Sequence, residues 1–171
     1  MAVPLSVPRQ HLIVNDESCG KTHPERCFRV MNEPAAILQM LGLPDRQPRS
    51  LAVVGLSDGP TRPSHSVSAY MQRAGYRIFP VNPSISEALD EPAFASLTEL
   101  VSKRGRPDVV NVFRLPKAIP AIVDEMIALD LKNLWVQLGI MNHEAALRAE
   151  SAGISVVMDR CILIEHSRLA R

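Results

Sequence analysis

The chain has 171 residues, 46% of them hydrophobic and 22% charged, a balance that fits one ordinary globular domain and excludes a disordered or fibrous chain. Nineteen Lys and Arg against 18 Asp and Glu leave a net charge of +1, so no bulk field attracts nucleic acid or an anionic membrane surface, and any anion site has to be local. The longest apolar runs fall far short of the roughly 20 residues that span a bilayer, and three cysteines without an apolar leader point to a reducing compartment, so a cytoplasmic protein is expected.

Residues 1–33 carry scattered prolines (Pro4, Pro8, Pro24) and a single short apolar run, Leu12-Ile13-Val14, without a sustained period. They are expected to form a mobile or loosely docked extension ahead of a domain over 34–171. Cys19, His23 and Cys27 recur at every fourth position, but Pro24 interrupts any helix and a fourth ligand is missing, so no metal site is assigned. A short helix starts at Glu33, with Pro34 in its first turn and Ile37, Leu38 and Leu41 on one face, and ends at Gly42 and Pro44.

From residue 51 to 166, apolar runs alternate with segments of helical period, the pattern of a parallel sheet with crossover helices. Strands are expected at 51–55, 76–81, 108–113, 133–137 and 154–158, and a short one around Ala93-Phe94-Ala95 with one helical turn after it. The helix after the first strand has Ser64 as its cap, Val67, Tyr70, Met71 and Ala74 on its apolar face, and Gly75 as its stop. A later helix buries Ile119, Ile122, Val123, Met126 and Ile127, and Asn142 caps another that Gly153 closes. The fold class is therefore α/β: a doubly wound, mainly parallel sheet of five or six strands with helices on both faces.

In such a sheet, ligands sit outside the carboxyl ends of the strands. The loop Gly55-Leu56-Ser57-Asp58-Gly59-Pro60-Thr61-Arg62-Pro63-Ser64 has the parts of a phosphate cradle. Gly55 admits close backbone approach, Ser57 and Ser64 offer hydroxyls, Arg62 offers a planar fork, and the helix beyond it presents free N–H groups. It has neither the Gly-x-Gly-x-x-Gly fingerprint nor the Walker pattern, and an ordinary solvated turn is the alternative. At the end of the second strand Asn82-Pro83 stands where a dehydrogenase places a carboxylate for the ribose hydroxyl, which tells against NAD.

Val53-Val54-Gly55-Leu56-Ser57, Arg62-Pro63-Ser64, Tyr70, Gly75-Tyr76, Pro80-Val81-Asn82-Pro83, Val112-Phe113-Arg114-x-Pro116, Trp135-x-Gln137-x-Gly139 and Met158-Asp159-Arg160-Cys161 with Glu165-His166 run in this order. Together they resemble the small stand-alone CoA-binding domain family, over residues 35–166. The resemblance implies a Rossmann-like fold related to the CoA-binding domain of succinyl-CoA synthetase, with coenzyme A at the carboxyl edge of the sheet. By that resemblance Gly55, Leu56, Ser57, Arg62 and Ser64 meet phosphates, Asn82 and Pro83 border the adenosine, and Phe113, Arg114, Gln137, Leu138 and Gly139 line the continuation. The chain departs from the family in its first 33 residues and at Lys117, where an acidic residue commonly follows the proline.

Cys161 could be a reactive thiolate beside Arg160 or a buried structural cysteine, and the buried role is the simpler expectation. Lys103, Arg104 and Arg106 lack interleaved aromatics and make no nucleic-acid site. No catalytic constellation is found, since paired carboxylates are missing from the strand ends. The expected function is non-catalytic binding of CoA or an acyl-CoA, with no membrane or nucleic-acid partner and with oligomerisation left open. Two alternatives remain: the CoA-binding subunit of an acyl-CoA ligase that needs a partner chain, or an NAD(P)-binding protein.

Overall fold

A computed structural model of the protein describes residues 31–170. Seven short strands occur among them: β1 (Ser50–Val54), β2 (Arg77–Val81), β3 (Glu87–Ala88), β4 (Glu91–Pro92), β5 (Val109–Val112), β6 (Asn133–Val136) and β7 (Ser155–Val157). Five of them form one sheet in the order β2-β1-β5-β6-β7, and every pairing in it is parallel. Sixteen of the 21 residues in these five are apolar and buried, as a sheet covered on both faces requires. The other two, β3 and β4, make a small hairpin through Leu89 and Asp90, both at positive φ.

Side-chain alternation divides the core in two. Leu51, Val53, Ile78, Val109, Trp135 and Val157 point to one face, under α1 (Pro34–Met40), α2 (Pro63–Arg73) and α6 (Ile162–Leu169). Ala52, Val54, Phe79, Val110, Val112, Leu134 and Val136 point to the other, where α3 (Leu97–Arg104), α4 (Ile119–Ala128) and α5 (His143–Ser151) cover them. The result is the expected Rossmann-like α/β architecture of three layers.

From β1 the chain passes through α2 to β2 at the sheet edge, then returns past β1 to β5. The connections leave β1 in opposite directions, so the carboxyl ends of β1 and β5 bound a topological switch point.

Several local details differ from the sequence-based expectations. Arg62, not Ser64, is the N-cap of α2, because Pro63 takes the first helical position, where its fixed φ and missing N–H cost nothing. The stretch around Ala93-Phe94-Ala95 is no strand of its own; Phe94 makes a single parallel bridge to Val81. The helical turn expected after it is the eight-residue helix α3. Ser96 caps α3 by accepting from the Glu99 N–H at 3.1 Å, and the Glu99 carboxylate reaches back to the Ala95 N–H at 2.6 Å, a variant of the capping box.

The packed chain also reaches back further than residue 34. Met31 is buried in the core, and Asn32 donates its backbone N–H to the Val156 carbonyl and accepts from the Met158 N–H through its side chain. Cys19, His23 and Cys27 lie outside the described residues.

Candidate functional site

The loop that leaves β1 opens a cleft at the switch point. Gly55 extends the ladder by donating its N–H to the Val81 carbonyl at 2.9 Å and turns the chain at φ +88. Leu56 folds into the core, fully buried. The Ser57 N–H then donates to Ser64 Oγ at 3.1 Å, while Ser57 Oγ accepts from the Gly59 N–H at 3.2 Å. The first bond ties the loop to the start of α2, and the second tightens the loop itself. No side chain caps that helix, and its first turn leaves only the Ser64 N–H open, since Pro63 has none and the His65 N–H donates to the Arg62 carbonyl; the exposed Arg62 stands at this positive end of the helix dipole.

The cleft measures about 620 Å³. Gly55, Ser57, Arg62, Ser64, Phe113 and Gln137 line it, with Pro63, Val67, Leu138, Ile140 and Cys161 completing its wall. Gln137 is buried, and its side-chain amide donates to Asn111 Oδ1 at 2.7 Å from the neighbouring strand. That bond holds Gln137 against the sheet under the cleft. Arg62 at one end and apolar Leu138, Ile140 and Cys161 further along make a site with a cationic mouth and a hydrophobic continuation.

The remaining residues singled out in the sequence support the cleft from outside its wall. Asn82 donates to the Leu56 carbonyl at 2.9 Å and accepts from the Ser84 N–H at 3.1 Å, so it ties the end of β2 to the β1 loop, with Pro83 exposed beside it. The aliphatic stem of Arg114 packs over Gly55; a Cβ on that glycine would stand 2.7 Å from Arg114 Cδ. Gly139, at φ +78, donates its N–H to Asp159 Oδ1 at 2.6 Å and thereby shapes the turn after β6. Pro63, Val67 and Ile140 join the wall without having been singled out in the sequence, since in a helix or turn they look like ordinary packing residues. Cys161 is half-buried: it packs against the core and also lines the cleft.

The cations outside the cleft are ordinary surface groups. Lys103 pairs with Glu99 at 2.6 Å and Arg106 with Asp130 at 3.4 Å, while Lys117 is exposed in the 3-10 turn at Pro116–Ala118. Among the described residues no group of three or more His, Cys, Asp or Glu could hold a metal ion, and no helix is long and apolar enough to cross a membrane.

A parallel sheet with its cleft at the switch point, beside an uncapped helix N-terminus, defines the Rossmann-like class whose ligands sit at this edge. The family of the CoA binding domain matches residues 49–167, and the chain belongs to it. It is 45% identical over 119 residues to the uncharacterized protein YneT of Bacillus subtilis (strain 168), a match covering 70% of this chain and 86% of that one. Two solved structures are also similar. Cell-free ID.343 from Thermus thermophilus is 38% identical, with a TM-score of 0.68 over 80% of this chain and 95% of that one. A hypothetical protein from Pyrococcus horikoshii OT3 is 30% identical, with a TM-score of 0.72 over 81% and 93%.

Proposed function

We propose that the chain binds coenzyme A or an acyl-CoA in this cleft and is a binding module with no reaction of its own. The observation that carries the reading is the meeting of Arg62, Ser57 and the uncapped start of α2 at the mouth of a cleft on the switch point, in a chain of the CoA binding domain family. The helix end and the guanidinium suit phosphate; the apolar continuation along Phe113, Leu138 and Ile140 suits a pantetheine arm. NAD suits the site less well. Asn82 has no carboxylate for a ribose hydroxyl, and its amide is already committed to the Leu56 carbonyl.

Thermal unfolding with and without ligand tests this. A ligand at a hundredfold excess over its dissociation constant adds about 2.7 kcal/mol, which in a domain of this size raises the melting temperature by roughly 5 to 11 °C. CoA is expected to produce that rise and NAD much less. Equal stabilisation by the two would remove the reading.

A further inference from the structure

Beyond the cleft lies a second cavity of about 420 Å³. Leu138 and Cys161 line both spaces, so the two adjoin at those side chains. Strand order puts this junction at the ends of β6 and β7, across β5 from the α2 terminus at β1. A ligand anchored by its phosphates at Arg62 and running along the strand ends arrives there with its opposite end.

The second cavity has an apolar side and a polar one, the latter formed by Asn32, His143, Asp159, Arg160 and Glu165. Met31, Leu138, Met141, Met158 and Ile164 contribute apolar surface. Leu138, Met141 and Ile164 are 59%, 45% and 52% exposed, an apolar patch around one pocket that gains by being covered. The polar side chains in the wall are already engaged within the protein: Asn32 with the Met158 N–H, Asp159 with the Gly139 N–H, and Arg160 with Glu165 at 3.2 Å, and His143 is engaged as well. Flexible methionine walls suit a linear chain, since they repack around different lengths.

We propose that this cavity takes the acyl group of an acyl-CoA, so that the ligand is the thioester of an uncharged aliphatic acid and not free CoA. The inference rests on the CoA reading and adds the acyl class to it. Continuity of the cavity with the cleft through Leu138 and Cys161 argues for this occupant over a separate partner.

Calorimetric titration of the full chain with CoA, acetyl-CoA, butyryl-CoA, hexanoyl-CoA and octanoyl-CoA tests it, with succinyl-CoA as the charged control. Affinity is expected to tighten with chain length, by up to about fourfold per added methylene, until the cavity is filled. Succinyl-CoA should bind no more tightly than acetyl-CoA. In Ile164→Ser the ratio of octanoyl-CoA to CoA affinity should collapse by several fold. Affinities that stay constant along the series, with CoA itself bound, overturn the acyl assignment, leave the cavity to a protein partner or a second copy, and spare the CoA reading. No binding of CoA or any thioester overturns both.

Discussion

Gly55 is held by its surroundings before any ligand arrives. Its φ of +88 is a conformation that side chains resist, and a Cβ would press on Arg114 Cδ at 2.7 Å and on the Phe113 carbonyl oxygen at 3.1 Å. Gly55→Ala should therefore lose about 1–2 kcal/mol of stability, or more if the Arg114 stem cannot shift, as read from urea denaturation of the ligand-free protein. Loss of CoA binding in a Gly55 variant thus does not by itself report close approach of a phosphate. Arg62 is the cleaner probe, because it is exposed and makes no ion pair with another described residue. Arg62→Ala should leave stability within about 0.5 kcal/mol while weakening CoA by about 1.5–3 kcal/mol, roughly 10- to 150-fold, if the guanidinium meets a phosphate. Unchanged CoA affinity in this variant would remove Arg62 from the site.

Between elements, single polar contacts join helices that the sheet alone does not position. The Tyr76 hydroxyl, just before β2, donates to the Leu41 carbonyl at the end of α1 at 2.5 Å. His166 on α6 stands edge-on to both Tyr70 and Tyr76, and its Nδ1 lies 3.0 Å from the Tyr70 hydroxyl. Burial pushes the Tyr76 phenol up to about 12 from its usual value of 10.0. The unfolded chain gives up this proton at the usual value and the folded chain at the raised one, so between the two the folded state holds more protons. The associated stability is fully present below about pH 10 and is lost as pH rises towards about 12. Urea denaturation at about pH 9 and about pH 11 should show the loss. Tyr76→Phe should be about 1 kcal/mol less stable at neutral pH and should lose less than the natural protein between the two pH values. An identical alkaline loss in the two proteins would assign it to other groups.

For the molecule as a whole, burial bears on where the domain begins. Met31 is 3% exposed among Ala52, Val156 and their neighbours in the core, and Asn32 holds the β7 backbone and the residue after it through two hydrogen bonds. Removing residues 1–33 should therefore lower stability by roughly 2–5 kcal/mol, the range for emptying a buried methionine site. Removing residues 1–30 keeps those contacts, and its melting transition should stay where it is in the full chain. A drop in the second truncation equal to that in the first would extend the domain into its leading segment.

The five strands of the main sheet, the helix faces and the edge at which the cleft opens were legible in the sequence because each is written over a few neighbouring residues. Leu51-Ala52-Val53-Val54 reads as a doubly buried strand, Val67 and Met71 share one helical face, and glycines and prolines punctuate between them. Ser96 and Glu99 carry a helix start that is equally local, but a cap marks only where a helix begins, and one turn was expected where α3 runs for eight residues. The Leu89-Asp90 hairpin has no such signal, since its strands are two residues long and its turn lacks the usual Asn-Gly. At the cleft, strand-end position identified the loops that line it but not the direction of each side chain. Gly55 and Ser57 open to the cleft while Leu56 between them is core; Asn82 faces inward to hold Leu56, and Asp159 fastens Gly139. Those directions depend on strand order and on hydrogen bonds between residues far apart in the chain. Local propensity carries no record of such pairings, so the sequence by itself determined the layers and the edge, and only the tertiary structure decided which side chains meet there.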